Sequence, residues 1–241
     1  MLLSDTLVFI VIVAAIGVSV ASGKIDRAGG VAGGLITYVL FLGSGWLGVI
    51  LIGAFFVLGT LASHWKQSRK TALGVAEERG GQRGWRNVVA NAGVAALVAF
   101  MSWPHLVPTD TAQLLVSACF AAALSDTWSS ELGNVYGSRF YNVLTGKADQ
   151  RGRDGVVSIE GSVAGVLGSA VIAGVYGLYS TSLTGAITVW VAGIVGNLMD
   201  SVLGATLERK GTIGNHAVNF LNTLTAVLLA YLLVKNDSIS S

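Results

Sequence analysis

Charge is what this chain has least of. Only 12% of its 241 residues are Asp, Glu, Lys or Arg, about half the share of an ordinary soluble domain. That excludes a free-standing soluble fold and makes the composition that of a membrane protein. The net charge of +2 is too small to argue for nucleic acid, which is excluded as a partner. Cysteine occurs once, at Cys119 in mid-helix, so no disulfide framework exists and the redox compartment is left open. The three histidines, His64, His105 and His216, are scattered, which argues against a histidine zinc site. Proline occurs twice. No G-x-x-x-x-G-K-[ST] is present, because Gly146-Lys147 lacks its upstream glycine. There is also no G-x-G-x-x-G after a strand and no H-E-x-x-H.

What the chain does have is apolar residues, at 53%, and 32 glycines. With so little proline, that glycine content fits close helix packing in lipid better than disorder. The expected fold is an all-α polytopic membrane protein, a single transmembrane domain over residues 1–241. Eight apolar segments are read at 6–20, 30–42, 46–61, 88–103, 109–124, 159–179, 186–203 and 218–234. Several are short of the ~20 residues that cross a bilayer unaided. Only GSG separates the second from the third, which predicts a tight hairpin. The start, MLLSDTLVFIV, has no basic n-region and reads as a true span.

Charge supports the count of eight. Loops 21–29, 62–87, 125–158 and 204–217 fall on one common side and hold 14 of the 15 Lys and Arg. The positive-inside rule places them in the cytoplasm and both termini outside. Trp46, Trp65, Trp85, Trp103, Trp128 and Tyr179 lie at segment ends, as an interfacial belt does. Loops 62–87, 125–158 and 204–217 are expected to form the site. In the first, Lys66, Arg69 and Lys70 read as topology determinants. Arg79, Arg83 and Arg86 flank glycines and lead into a helix, and read as phosphate contacts.

The stretch 125–162 carries Asp126, Glu131, Asp149, Asp154 and Glu160 among Arg139, Lys147, Arg151 and Arg153. Carboxylates beside cations at a membrane surface suit a metal-bound polyphosphate. Polar residues inside the spans gather at the same level: Asn87 and Asn91, Ser129 and Ser130, Asn197, Asp200 and Ser201, and Asn219 and Asn222. Asp126 and Glu131 lie about 140° apart on a continuous helix. They share one metal only if the helix breaks near Gly133 or another helix intervenes, so Asp200 is the better second ligand.

The stretches GVAEERGGQRGWRNVVANAGVAAL, SDTWSSELG, GVVSIEGSVAGVLG and GNLMDSVLGATLERKG…NHAVNFLNTLTA, in that order, resemble an integral-membrane family. It was long classed as a domain of unknown function, and it includes a chloroplast phytyl-phosphate kinase. A more distant likeness is to the phytol and dolichol kinases. By position, the resemblance marks Asp126, Glu131 and Gly133, then Gly155, Ser158, Glu160 and Gly161. It goes on to Asp200, Gly204 and Thr206, and ends at Asn219 and Asn222. Where the family has Asn-Gly-Gly before Val-Ser, this chain reads Arg153-Asp154-Gly155-Val156.

The resemblance implies transfer of a phosphoryl group from a nucleoside triphosphate, CTP or ATP, to a prenyl monophosphate lipid, giving the diphosphate. Such transfer needs a divalent metal, cationic clamps and alignment rather than covalent catalysis. The expected Mg²⁺ ligands are Asp126, Glu131, Glu160 and Asp200. The expected catalytic set is Asp126, Lys147 and Asp200. Lys147 and Arg139 would hold donor phosphates, and Arg83 or Arg86 the acceptor phosphate. Asn91, Ser130, Gly155, Ser158, Gly161, Asn197, Asn219 and Asn222 complete the substrate-binding set. An ion-coupled transporter using intramembrane Asp and Asn is the alternative. Clustering of the polar groups at one surface rather than the midplane argues against it.

Overall fold

The computed structural model describes residues 2–76 and 78–240, with side chains except those of 2, 78, 79 and 236–240. The helices are α1 (Leu2–Ala21), α2 (Arg27–His64), α3 (Gln67–Ala72), α4 (Trp85–Ser102) and α5 (Thr109–Tyr136), followed by α6 (Ile159–Ser180), α7 (Leu183–Leu203) and α8 (Asn215–Ser240). A 3-10 turn spans Glu78–Gly81, and a π-helical turn, Gly204–Glu208, continues α7. The strands β1 (Tyr141–Asn142) and β2 (Val156–Val157) pair antiparallel in a two-residue ladder.

The long α2 is two spans in one. Gly45, at φ 65° and ψ −153°, breaks it. Glycine is the residue that adopts a positive φ without a Cβ penalty. The reversal is sharp: a Cβ on Gly48 would stand 2.9 Å from the carbonyl oxygen of Leu40. Eight residues along a straight helix would separate them by about 12 Å. The two apolar segments around GSG are therefore arms of a hairpin.

Five helices among the described residues are long and apolar enough to cross a membrane: Leu3–Ala21, Arg27–His64, Ile159–Ser180, Leu183–Glu208 and Asn215–Lys235. The kinked second of these supplies both hairpin arms. Helix α5 is built differently. Every residue from Leu114 to Ser125 is buried, because α2, α4, α6, α7 and α8 all pack on it. A helix covered on all faces carries no polar stripe, and close neighbours require small side chains, here Ala118 and Ala121–Ala123. Helix α5 also continues past the expected end at Leu124 to Tyr136. Asp126 and Ser130 thus stand on helix rather than on loop.

The two ends of the bundle differ. At one, the Gln113 amide donates to the Ser44 carbonyl at 3.1 Å, and Gly43 packs against the Ala99 backbone too closely for any Cβ. The other end holds the four charged loops. The Asp26 N–H donates to the Arg83 carbonyl at 3.0 Å, Lys70 pairs with Glu131, and Arg209 pairs with Asp149. Helices α1 and α8 each meet the charged loops at one end, α1 at Ala21 and α8 at Asn215.

A polar cavity at the charged end

A cavity of about 260 Å³ opens where α4, α5, α7 and α8 end beside the 140–158 loop. Arg83, Asn91, Asp126, Ser130, Gly155, Ser158, Asn197, Asp200 and Asn219 of the expected set line it. The Asp126 and Asp200 carboxyls lie within interaction range of each other, with the Asn222 side chain on Asp200. The Oδ1 atoms of Asp200, Asn222 and Asn87 are buried with no hydrogen-bond partner. Buried acceptors in native proteins are nearly always satisfied. Asp200 and Asn87 line the cavity, and their unsatisfied acceptor oxygens fit a bound cation or donor there, whereas the Asn222 oxygen lies against Gly196. Asp154 and Glu208 add two more carboxylates to the lining, against the cations Arg83 and Arg153.

Close backbone crossings form the walls. Gly155 has φ +68°, and a Cβ there would fall 2.2 Å from the Ala205 amide nitrogen. Nothing but glycine fits that junction between loop and π turn. On the opposite wall, α5 and α6 cross at Gly133 and Gly161, where a Cβ on Gly161 would meet the Ser129 carbonyl at 2.7 Å. The Ser158 hydroxyl caps α6 by accepting from the Gly161 N–H at 3.1 Å.

Two arginines fasten the loop. Arg151 donates to the carbonyls of Asn134 (2.7 Å) and Gly137 (2.9 Å). Arg209 donates to the Asp149 carboxylate at 2.9 Å and, through Nε, to the Asp154 carbonyl at 3.1 Å. The Gln150 N–H and the Arg209 guanidinium hold the Asp149 carboxyl below the usual carboxylate range.

Several expected site residues lie elsewhere. Helix α5 does not break at Gly133, so Glu131 faces away from Asp126. Its Oε2 accepts from Lys70 Nζ at 2.6 Å, in a pair 0% and 5% exposed. Lys70 donates as well to the carbonyls of Ala62 (3.2 Å) and Ser63. The lysine read as a topology determinant therefore ties the end of α2 to α5. Glu160 accepts from the Ser138 hydroxyl (2.6 Å) and N–H (3.1 Å), which fixes the start of the loop. The four-carboxylate metal set is accordingly not assembled. Among the described residues no three or more His, Cys, Asp or Glu converge as metal ligands.

Lys147 and Arg139 are exposed on the 137–158 loop. Arg86 is exposed, with its guanidinium 5.5 Å from the Trp85 ring centroid. None of the three lines the cavity. Gly161 and Asn222 support it from behind. The side chain of Arg79 lies outside the described residues.

The cavity also contains residues that the sequence reading passed over: Asn134, Phe140, Asn215 and Glu208. Glu208 sits on the π turn, a feature frequent at functional sites. In the sequence it is one charge within TLERKG.

A family model described as Integral membrane protein DUF92 matches residues 10–227. The chain is 34% identical to Protein VTE6, chloroplastic, of Arabidopsis thaliana, over 80% of this chain and 61% of that protein. It is 34% identical to an uncharacterized membrane protein of Synechocystis, over 80% of this chain and 76% of the relative. It is 32% identical to one of Methanocaldococcus jannaschii, over 87% and 85%. No solved structure matches.

Proposed function

The chain belongs to the DUF92 integral membrane family, and on that footing we propose that it is a prenyl-phosphate kinase. The observation that carries the reading is the pairing of Asp126 and Asp200 in a polar cavity with unsatisfied acceptor oxygens and an arginine, Arg83, on its wall. Its resemblance to the family of the phytyl-phosphate kinase supplies the substrate class.

The donor is a nucleoside triphosphate, CTP or ATP. An oxygen of the prenyl monophosphate forms a bond to the γ-phosphorus. The bond from that phosphorus to the β,γ-bridging oxygen breaks, and its electron pair leaves with the nucleoside diphosphate. The acceptor oxygen is already ionised, so no strong general base is needed. Asp126 and Asp200 would hold Mg²⁺, which commonly takes one or two carboxylates and fills its shell with phosphate oxygens and water. When bound, the metal neutralises charge on the transferring phosphoryl group. Without it, the carboxylates of the cavity repel a triphosphate. Arg83 holds the acceptor phosphate, and Arg153 takes the donor-side role expected of Lys147 and Arg139.

The site faces the cytoplasm, with both termini outside, because the charged end carries nearly all the basic residues. Native Cys119 is buried, so single cysteines at 147 and 181 report sidedness in intact cells. They should label from opposite sides, and labelling from the same side would refute the topology.

The activity test incubates purified protein with γ-labelled ATP or CTP and prenyl monophosphates of several lengths. Labelled prenyl diphosphate, formed only with Mg²⁺, is expected. No product with any donor and acceptor would end the kinase reading.

A further inference from the structure

A second hollow, of about 180 Å³, lies between α1, both arms of α2 and the start of α4. It shares Arg83 and Asn87 with the polar cavity. We propose that this groove holds the hydrocarbon chain of the lipid monophosphate, with the phosphate at Arg83 facing the Asp126 cavity. The assignment rests on the prenyl-phosphate kinase reading and adds to it the path of the lipid.

Continuity is the first argument. The groove follows α1 from Ser19 to Val11, about 12 Å of helix, and ends at the charged residue that also bounds the polar cavity. One ligand with an apolar tail and an anionic head fits both hollows at once. Arg83 is well held for that position. Its N–H donates to the Lys24 carbonyl and its carbonyl accepts from the Asp26 N–H, both at 3.0 Å. Its guanidinium lies 4.9 Å from the Phe55 ring centroid and beside Gly59 and Thr127, the neighbour of Asp126.

The glycines give the second argument. Gly30 and Gly34 pack α2 onto α1, since a Cβ on either would press on Ile16. Gly33 and Gly53 line the same groove, yet a Cβ on either would meet nothing within 4 Å. Their absent side chains serve no helix packing and leave the groove open. Gly53 is exposed, on the face the groove turns to the bilayer.

A rival groove of about 350 Å³ touches the polar cavity at Val157 and Ser158 and runs along Val163 and Leu167 of α6. No Lys, Arg or His is among its lining residues. A dianionic headgroup gains its strongest contacts from cations, which decides for the Arg83 side.

The decisive experiment cross-links wild-type protein in nanodiscs with geranylgeranyl monophosphate bearing a diazirine on its terminal isoprene unit. Mass spectrometry should find the label on residues 11–19 or 49–56. Label on residues 159–167 would overturn the assignment. In parallel, Gly33→Leu and Gly53→Leu should weaken binding of geranylgeranyl monophosphate at least tenfold. They should leave dimethylallyl monophosphate binding and the CTP–Mg²⁺ melting shift within twofold. Val163→Trp should change none of these.

Unchanged long-chain binding in both glycine variants, or its loss in Val163→Trp, would also overturn the assignment. Label in the groove without phosphoryl transfer would keep the groove and end the kinase reading. Transfer with label at 159–167 would do the reverse.

Discussion

The two hollows that meet at Arg83 are built from opposite materials. The polar cavity is made of helix ends and a loop, and ties distant in sequence hold its walls: Arg209 to Asp149 and Asp154, Arg151 to Asn134 and Gly137, and Gly155 against Ala205. The apolar groove is made of mid-helix surface. One of its walls is α1, whose apolar window is only 11% buried within the protein. A site that aligns phosphates needs fixed donors and acceptors, since small displacements of reacting groups are costly. A site for a flexible chain needs only apolar walls that yield.

The largest difference between the hollows should appear when charge is removed. Asp126→Asn and Asp200→Asn keep side-chain shape but lose the pairing that would hold a cation. Each should lower phosphoryl transfer by more than about a hundredfold, beyond the 10–100-fold typical of losing an outer-shell partner of a metal ligand. Binding of long-chain prenyl phosphate in the groove should change little by comparison. Near-wild-type turnover in either variant would remove that aspartate from the site, and failure to fold would assign it a structural role instead.

Support for the polar side extends below the bundle to Lys70 and Glu131. Removing one member of a buried ion pair leaves an uncompensated charge and costs about 3–5 kcal/mol. Glu131→Gln and Lys70→Met are therefore expected to lower the melting temperature sharply. The double variant Lys70→Met with Glu131→Leu should recover much of that loss, because an apolar replacement removes both charges. If the single variants melt like the wild type, the pair does not brace α5.

That pair also shows what the sequence made legible. The architecture was readable because span-forming residues and basic loops alternate along the chain, and because GSG leaves room only for a bend. The depth of the polar residues was readable from helix spacing, which placed Asn91, Asp126, Asp200 and Asn219 at one level. Pairing across the fold was not readable. Nothing local distinguishes Lys70 from Lys66, yet one is buried against Glu131 and the other is exposed. Lys147 and Arg139 fall among the carboxylates in sequence, but both are exposed, Arg139 just before β1 and Lys147 between β1 and β2. Glu208 reaches the cavity only because α7 continues into a π turn, which TLERKG does not announce.

A nucleotide should distinguish the hollows less drastically. A ligand at a hundredfold excess over Kd stabilises the folded state by about 2.7 kcal/mol. CTP or ATP with Mg²⁺ should raise the melting temperature accordingly, and EDTA should abolish the rise. Gly53→Leu should leave it intact, whereas Asp200→Asn should remove it. A response to Na⁺ or K⁺ but to no nucleotide would favour the transporter instead.

The smallest effect belongs to the loop that closes the polar side. The Asp149 carboxyl is held below its ordinary value of 3.8 by the Gln150 N–H and the Arg209 guanidinium. A carboxylate whose folded-state pKa is depressed adds stability above its unfolded pKa and loses it as pH falls through the folded one. The contribution is thus complete at neutral pH and fades on acidification below about pH 4. Because the pair is partly exposed, its worth is small and screened by salt. Arg209→Gln should slightly lower the melting temperature at pH 7 and flatten its fall between about pH 5 and pH 3. It should also loosen the 149–154 loop, seen as faster amide exchange there than in β1. If the acid limb keeps its slope in Arg209→Gln, the Arg209–Asp149 tie is not what couples this loop to the π turn.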